Sequence, residues 1–427
     1  MALQATQDTY DIFSPFIYNF TWFALLLRLI IIFINYLLYL SIFCYWGSWA
    51  NLRPGIGAFG VQDIPLDLCT HIAYSFIGLT AEGNLTFPEV YNIEGKSSNV
   101  EDFIALRRMN SSLNLMVAVG GWNEGSENFS KVANDDKLRA VFVNNLVQYI
   151  SDKGFNGLDV DWEYPGQRGG EQTDRAAFVS LLRDLRIEFD RHRWILTASV
   201  APTQYHIDIS YDVPGINRHV HYINIMAYDY HGAWSERTGA NAPLFPQLTD
   251  RYDTGLNVNA SVFSWIHAGA DREKLVLGMA AYGKTFTLVN LNQTSTGAPF
   301  NGTGIPGPFT KEDGLLSYLE ICTDQRNNTN WDVTVVNESY VYGNIGDQWV
   351  SYDNAHTIFT KGLYASLEDL AGVMFWTLDF EDFHGRCSRR RYDLIRSAIE
   401  GYRSSASTLK IFNYLFVLII LIKSVIF

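Results

Sequence analysis

Cysteine is scarce in this chain, and what there is forms no metal pattern. The 427 residues hold four, Cys44, Cys69, Cys322 and Cys387, with no Cys-x-x-Cys pair and no zinc-type spacing. Positive charge is also short. Lys and Arg total 32 against 45 Asp and Glu, a net charge of −13. That balance excludes the basic stripe a nucleic-acid partner requires and disfavours an acidic polymer as substrate. Charged residues of all kinds reach only 18%, against 48% hydrophobic, a composition too apolar for disorder. There is no internal repeat, no low-complexity linker and no separate Cys-rich module. No pair of candidate strands is joined by an Asn-Gly hairpin turn, which argues against a sandwich.

What the chain has in plenty is aromatic residues, at 15%. Part of that must be core; a surplus of Trp and Tyr also suits a groove that stacks on sugar rings. The most informative stretch runs from Lys153 to Pro165. Within it Asp159, Asp161 and Glu163 alternate with Leu158, Val160 and Trp162. In a strand this puts three carboxylates on one face, roughly 7 Å apart, and three apolar side chains on the other. Three such neighbours cannot all ionise cheaply in a partly buried site, so one should keep its proton and serve as a general acid. A solvated strand face and a calcium or magnesium site are the alternatives.

Short apolar runs predict strands at Ile42–Trp49, Thr70–Phe76, Leu113–Val119, Gly157–Asp161, Ile195–Val200, Tyr222–Ala227, Leu275–Met279 and Gly372–Trp376. Helical spacing is clearest over Lys137–Lys153, Thr173–Glu188, Val258–Ala268 and Ala355–Glu368. Eight β/α repeats with continuously apolar strands predict an α/β fold, a parallel (β/α)8 TIM barrel buried on both faces. The last repeat is much longer than the others. Its extra length, about 285–352, reads as a small α+β insertion between strands seven and eight. The barrel is expected over 41–403.

Both ends are hydrophobic. Segment 1–40 reads as a signal peptide or signal anchor, although Asp8 and Asp11 stand where a basic region belongs. Segment 404–427 reads as a GPI-attachment signal or a membrane anchor. Asn-x-Ser/Thr sequons occur at Asn19, Asn84, Asn110, Asn128, Asn259, Asn292, Asn301, Asn327 and Asn337. Such a density suits a secreted or cell-surface protein, where disulfides are also allowed.

In a barrel the C-terminal strand ends carry the chemistry. Here they offer Tyr45 and Trp49, then Trp122 and Asn123, the carboxylate row, Met226, Tyr228 and Asp229 with Trp234 close behind, Tyr282, and Trp376. Asn156-Gly157-Leu158-Asp159-Val160-Asp161-Trp162-Glu163 resembles the D-G-x-D-x-D-W-E signature of glycoside hydrolase family 18, the chitinases and chitinase-like lectins. Gly120-Gly121-Trp122, Met226-Ala227-Tyr228-Asp229, Gly278 to Gly283, Gln348 to Asp353 and Trp376-Thr377-Leu378-Asp379 resemble further blocks of that family, in its order. The resemblance covers roughly Phe43 to Tyr402 and is nearest to the secreted animal chitinases.

That resemblance implies an endo-acting chitinase, working on β-1,4-linked N-acetylglucosamine polymers by a retaining, substrate-assisted route. Glu163 would be the acid and then the base. Asp161 would steady the acetamide, Asp159 would tune Asp161, and Tyr228 would hold the acetamide oxygen. Met226 and Asp229 would shape the same subsite, with Trp376 as its floor. Tyr45, Trp49, Trp122 and Trp234 would be stacking platforms, with Asn123 and Tyr282 also binding substrate. Cys44–Cys69 and Cys322–Cys387 are the implied disulfides. No metal or cofactor is implied; chitin or chito-oligosaccharide is the partner, with no nucleic acid and a monomeric state. The chain departs from the pattern at Asn156, where the family usually has Asp, at Ala118 for Ser and at Lys284 for Arg. Asn156 leads us to expect an altered pH profile. A chitinase-like lectin and an endo-N-acetylglucosaminidase are the competing readings.

Overall fold

Apolar runs at eight points along the chain become eight parallel strands. A computed structural model describes residues 40–87, 100–246 and 254–405. The hydrophobic segment 1–40, apart from Leu40, lies outside the described residues, as do Asn19 and, beyond Ser404 and Ser405, the tail 404–427. The strands are β1 (Ser41–Gly47), β2 (His71–Leu79), β3 (Asn114–Gly120), β4 (Gly157–Asp161), β5 (Ile195–Val200), β6 (Tyr222–Ile225), β7 (Leu275–Ala280) and β8 (Gly372–Trp376). Each pairs in parallel with the next, and β8 pairs with β1, so the sheet closes. The (β/α)8 barrel read from the sequence is the fold observed. Closure leaves no open edge and covers both faces, which is why β1, β4 and β7 are buried along their whole length.

The helices begin and end where their caps dictate. In α1 (Asp136–Lys153), Asp135 Oδ1 accepts from the amides of Lys137 and Leu138 at 2.8 and 3.0 Å. Such a cap contributes about 1 kcal/mol. Gly154 ends the helix at φ 85°, a left-handed value that glycine adopts without steric cost. Further helices are α2 (Asp174–His192), α3 (Val258–His267), α4 (Ala355–Leu367) and α5 (Asp393–Ser405). Gly120 is demanded by packing as well as by φ (111°): a Cβ there would stand 2.1 Å from the carbonyl oxygen of Asp161. The close β3–β4 approach under the carboxylates depends on it.

After β7 the chain builds a second, antiparallel sheet. Its order is Phe300–Thr303, Tyr282–Leu288, Gln348–Tyr352, Tyr340–Ile345 and Asp332–Val336, with Leu315–Ser317 also pairing to Tyr282–Leu288. Phe286, Leu288, Ala298 and Trp349 form its core, with Phe300 and Tyr342 packed against them. Asn241, in the loop after β6, ties this sheet to the barrel top. Its side chain donates to the carbonyl of Tyr282 (3.2 Å) and accepts from the amide of Asp229 (3.2 Å). Both implied disulfides are present. Cys44 on β1 joins Cys69, just ahead of β2. Cys322, in the helix Tyr318–Asn327, joins Cys387 in the segment after β8.

Candidate active site

The strict alternation at the end of β4 turns the three carboxylates into the barrel mouth and Leu158, Val160 and Trp162 away from it, all three fully buried. The carboxyl environments differ sharply. Asp159, 1% exposed, is the best satisfied. Thr197 and Ser199 of β5 donate to its two oxygens, Ser199 at 2.8 Å, and Asn224 of β6 donates at 3.3 Å. Burial raises its pKa, while hydrogen bonds from Thr197, Ser199, Tyr45 and Asn224 oppose that rise. Asp161, 4% exposed, has no such support: its Oδ1 is buried without a hydrogen-bond partner among the described residues. Burial, then the charges of Glu163 and Asp159, push its pKa well above the usual carboxylate range. Of the two aspartates, Asp161 keeps its proton to higher pH.

Glu163 lies two residues past the strand and is 8% exposed. Burial pushes its pKa up to about 7, held back by a hydrogen bond from Tyr164 and by the charge of Arg168. At neutrality it is therefore poised to give up or to take a proton. It opens onto a cavity of about 650 Å³ that Met226, Tyr228, Asp229 and Trp234 also line, together with Tyr205 and His206. Burial also raises the pKa of the Tyr228 hydroxyl well above its usual value, so it remains a neutral donor. Asp229 sits at φ 60°, accepts from the Tyr282 hydroxyl at 2.5 Å and pairs with Lys284 at 3.2 Å.

Aromatic rings extend the mouth on both sides. Trp49, Phe76 and Trp376 form a near-parallel row, with centroids 6.3 and 5.5 Å apart and interplanar angles of 21° and 24°. Trp122 and Trp234 are 59% and 63% exposed, open ring faces of the kind that stack on sugars. Asn123 is exposed beside Trp122. A buried carboxyl with its pKa pushed up to about 7, an orphaned buried carboxyl oxygen and exposed rings stand together at this mouth.

A sequence profile of glycosyl hydrolases family 18 matches residues 41–381. The chain belongs to glycosyl hydrolase family 18. A probable chitinase 2 of Drosophila melanogaster is 40% identical over 361 residues, covering 81% of this chain and 72% of the relative. The crystal structure of an Ostrinia furnacalis Group IV chitinase in complex with allosamidin superposes with a TM-score of 0.83 at 38% identity. That match covers 86% of this chain and all of the other. Human YKL-39, a pseudo-chitinase with retained chitooligosaccharide binding, superposes at 0.78 with 30% identity, covering 85% and 99%.

Within this family 18 frame, two sequence readings need correction. Tyr45 is no stacking platform. It is 2% exposed, and its hydroxyl meets Ser199 Oγ at 2.9 Å and Asn224 Nδ2 at 2.8 Å. It belongs to the buried network around Asp159. Asn156 does not adjoin the carboxylates either. It precedes β4, at the opposite end of the strand, where its Oδ1 accepts from Arg107 (2.5 Å) and from the amide of Leu115 (3.0 Å). Its exchange for Asp alters a pairing with Arg107 below the barrel, and the altered pH profile expected from it has no structural basis.

The sequence reading also passed over Thr197, Ser199, Asn224 and Phe76. Thr197 and Ser199 had a signal: two hydroxyls at period two inside an otherwise apolar strand. Phe76 had none beyond its place at the end of the expected strand Thr70–Phe76, which in the fold continues to Leu79.

Proposed function

We propose that the protein hydrolyses β-1,4-linked N-acetylglucosamine polymers from within the chain, with retention, by a substrate-assisted route. The observation that carries this reading is the contrast between the two mouth carboxyls. Glu163 titrates near 7 and opens to the cavity. Asp161 keeps a buried oxygen with no hydrogen-bond partner among the described residues. Glu163 protonates the glycosidic oxygen and later takes a proton from water. The substrate's acetamide carbonyl oxygen attacks C1, breaking the bond to the leaving sugar. Asp161 passes its proton to Asp159 and, as a carboxylate, accepts from the acetamide N–H as that group becomes cationic. Tyr228 donates to the acetamide oxygen, Met226 and Asp229 wall the pocket, and Trp376 lies under the reacting sugar. Trp49, Trp122 and Trp234 bind sugars further along, with Asn123 and Tyr282 in support. Incubation with a fluorogenic chitobioside, and NMR of the first anomer released from chitotetraose, test this. Binding without products, or release of the α-anomer, would sink it.

The acid limits the pH range. Glu163 must hold its proton in the free enzyme, and burial lifts its pKa to about 7. The protonated fraction is complete well below 7 and falls about tenfold per unit above it. kcat/KM should therefore decline with unit slope on the alkaline side of about pH 7. A flat profile to pH 9 would remove Glu163 from the acid's role.

Two disulfides and the surface sequons support an extracellular setting. Among the described residues no helix is long and apolar enough to cross a membrane. The fold sorts the sequons. Asn84, Asn292, Asn301, Asn327 and Asn337 are exposed. Asn110 and Asn128 instead turn their amide nitrogens inward, to the carbonyls of Leu66 (2.7 Å) and Leu79 (3.0 Å). Glycopeptide mass spectrometry of protein secreted from insect cells should find glycans among the exposed five and none on Asn110 or Asn128. Full occupancy at Asn128 would contradict the sorting.

A further inference from the structure

The loop after Glu163 is far more organised than its composition suggests. Asp174, fully buried, accepts from the amides of Gly166 (3.1 Å) and Glu171 (2.8 Å) and from the side chains of Ser130 (2.6 Å) and Asn134 (2.7 Å). A Cβ on Gly170 would stand 2.3 Å from Asp174 Oδ2. The loop is thus gathered around one buried carboxylate. At its tip Arg168 holds φ 50°, a left-handed value that a non-glycine residue keeps only where the surroundings over-determine it. From there its side chain turns back toward the site. The guanidinium lies 3.6 Å above the centroid of the Trp122 ring. Its Nη1 donates to the carbonyl oxygen of Glu163 at 2.9 Å. Ser126 adds a second tie between the same two loops, donating to the carbonyl of Tyr164 (2.8 Å) and accepting from Trp162 Nε1 (3.0 Å).

We propose that Arg168 is a positioning residue that locks Trp122 to the backbone of Glu163, backing one ring face so that the other meets a sugar beside the scissile bond. This rests on the hydrolase reading above. Trp122 is mostly exposed, so core packing does not fix its orientation. A guanidinium 3.6 Å from the ring centroid does, because such a group can stack on a ring while its N–H groups stay free for the carbonyl. The same cation faces the acid. Around Glu163 stand Asp161, Tyr164, Tyr211, Tyr228, Asp229 and Arg168, and Arg168 is the cation among those that act on it. Its charge lowers the Glu163 pKa while burial and Asp229 raise it.

Two substitutions separate the plane from the charge. Arg168→Lys keeps the cation and loses the flat stack; Arg168→Gln loses both. Both should raise KM for chitotetraose about two- to fivefold, the worth of an exposed cation–π contact. Only Arg168→Gln should move the alkaline limb of kcat/KM to higher pH. A wild-type KM in Arg168→Lys, or an unmoved limb in Arg168→Gln, overturns the proposal. Should the wild type prove inactive, the hydrolase reading fails by itself. Tryptophan-fluorescence titration with chitotetraose of Glu163→Gln, with and without Arg168→Lys, then judges the lock by affinity alone. The double variant should bind two- to fivefold more weakly, and equal binding overturns it.

Discussion

Glu163→Gln lowers kcat on a fluorogenic chitobioside by about 10²- to 10⁴-fold, the span general acids contribute, and leaves chito-oligosaccharide binding close to wild type. The amide keeps the shape of the carboxyl and fills the same buried space. It cannot give a proton to the glycosidic oxygen or take one from water. Among the described residues no other carboxyl combines the burial of Glu163 with its opening to the cavity. Asp161 is more deeply buried than Glu163 and less open to the cavity, and Asp159 is enclosed by four hydrogen-bonding side chains. Asp229 and Glu236 also line the cavity; Asp229 is engaged by Tyr282 and Lys284, and Glu236 is exposed on the loop after β6. The rings proposed to hold sugar, Trp49, Trp122, Trp234 and Trp376, do not depend on the Glu163 carboxyl for their positions. Turnover of Glu163→Gln within tenfold of wild type would mean that the proton comes from elsewhere. A collapse of binding alongside turnover would mean that Glu163 organises the cleft rather than the reaction.

The barrel was legible because its strands are buried on both faces. Continuous apolar runs such as Leu275–Ala280 mark themselves without help from partners, and β4, β5 and β8 have the limits expected of them. The carboxylate row was legible because period two is a local property of a strand. What sequence reasoning could not supply is depth. Tyr45 and Trp49 sit four residues apart on the same strand end, yet one is buried among Ser199, Asn224 and Trp376 and the other faces Phe76. Only closure of the barrel, which brings β1 opposite β5 and β6, decides between network and platform. Asn156 shows the same limit in another form. Three residues from Asp159 in sequence, it lies at the far end of a strand whose two ends do unrelated jobs. Lys284 stands where the family pattern has Arg. Its ion pair with Asp229 and its 5.4 Å approach to the rings of both Trp234 and Tyr282 follow from the second sheet, which the sequence located without its register.

Asp161→Asn should cut kcat by about 10²- to 10³-fold, on the scale of losing one preorganised electrostatic partner of a transition state, with little change in KM. The free protein shows why. Asp161 is pushed well above the normal carboxylate pKa, and among the described residues one of its oxygens has no hydrogen-bond partner. An unsatisfied buried oxygen is costly, and an acetamide N–H arriving with substrate would relieve it. As the carbonyl oxygen of that acetamide closes on C1, positive charge spreads onto the nitrogen. Asp161, its proton passed to Asp159, meets that charge as a carboxylate; asparagine offers a dipole in its place. Ground-state binding uses only the hydrogen bond, which the Asn carbonyl also accepts, so KM stays. The shift of Glu163 comes chiefly from its own burial, so the alkaline limb near pH 7 should stay where it is. Measuring kcat, KM and the limb together distinguishes the roles. A kcat within tenfold of wild type would mean that the acetamide's charge is met elsewhere. A limb displaced by a full unit would mean that Asp161 acts through Glu163 rather than on the substrate.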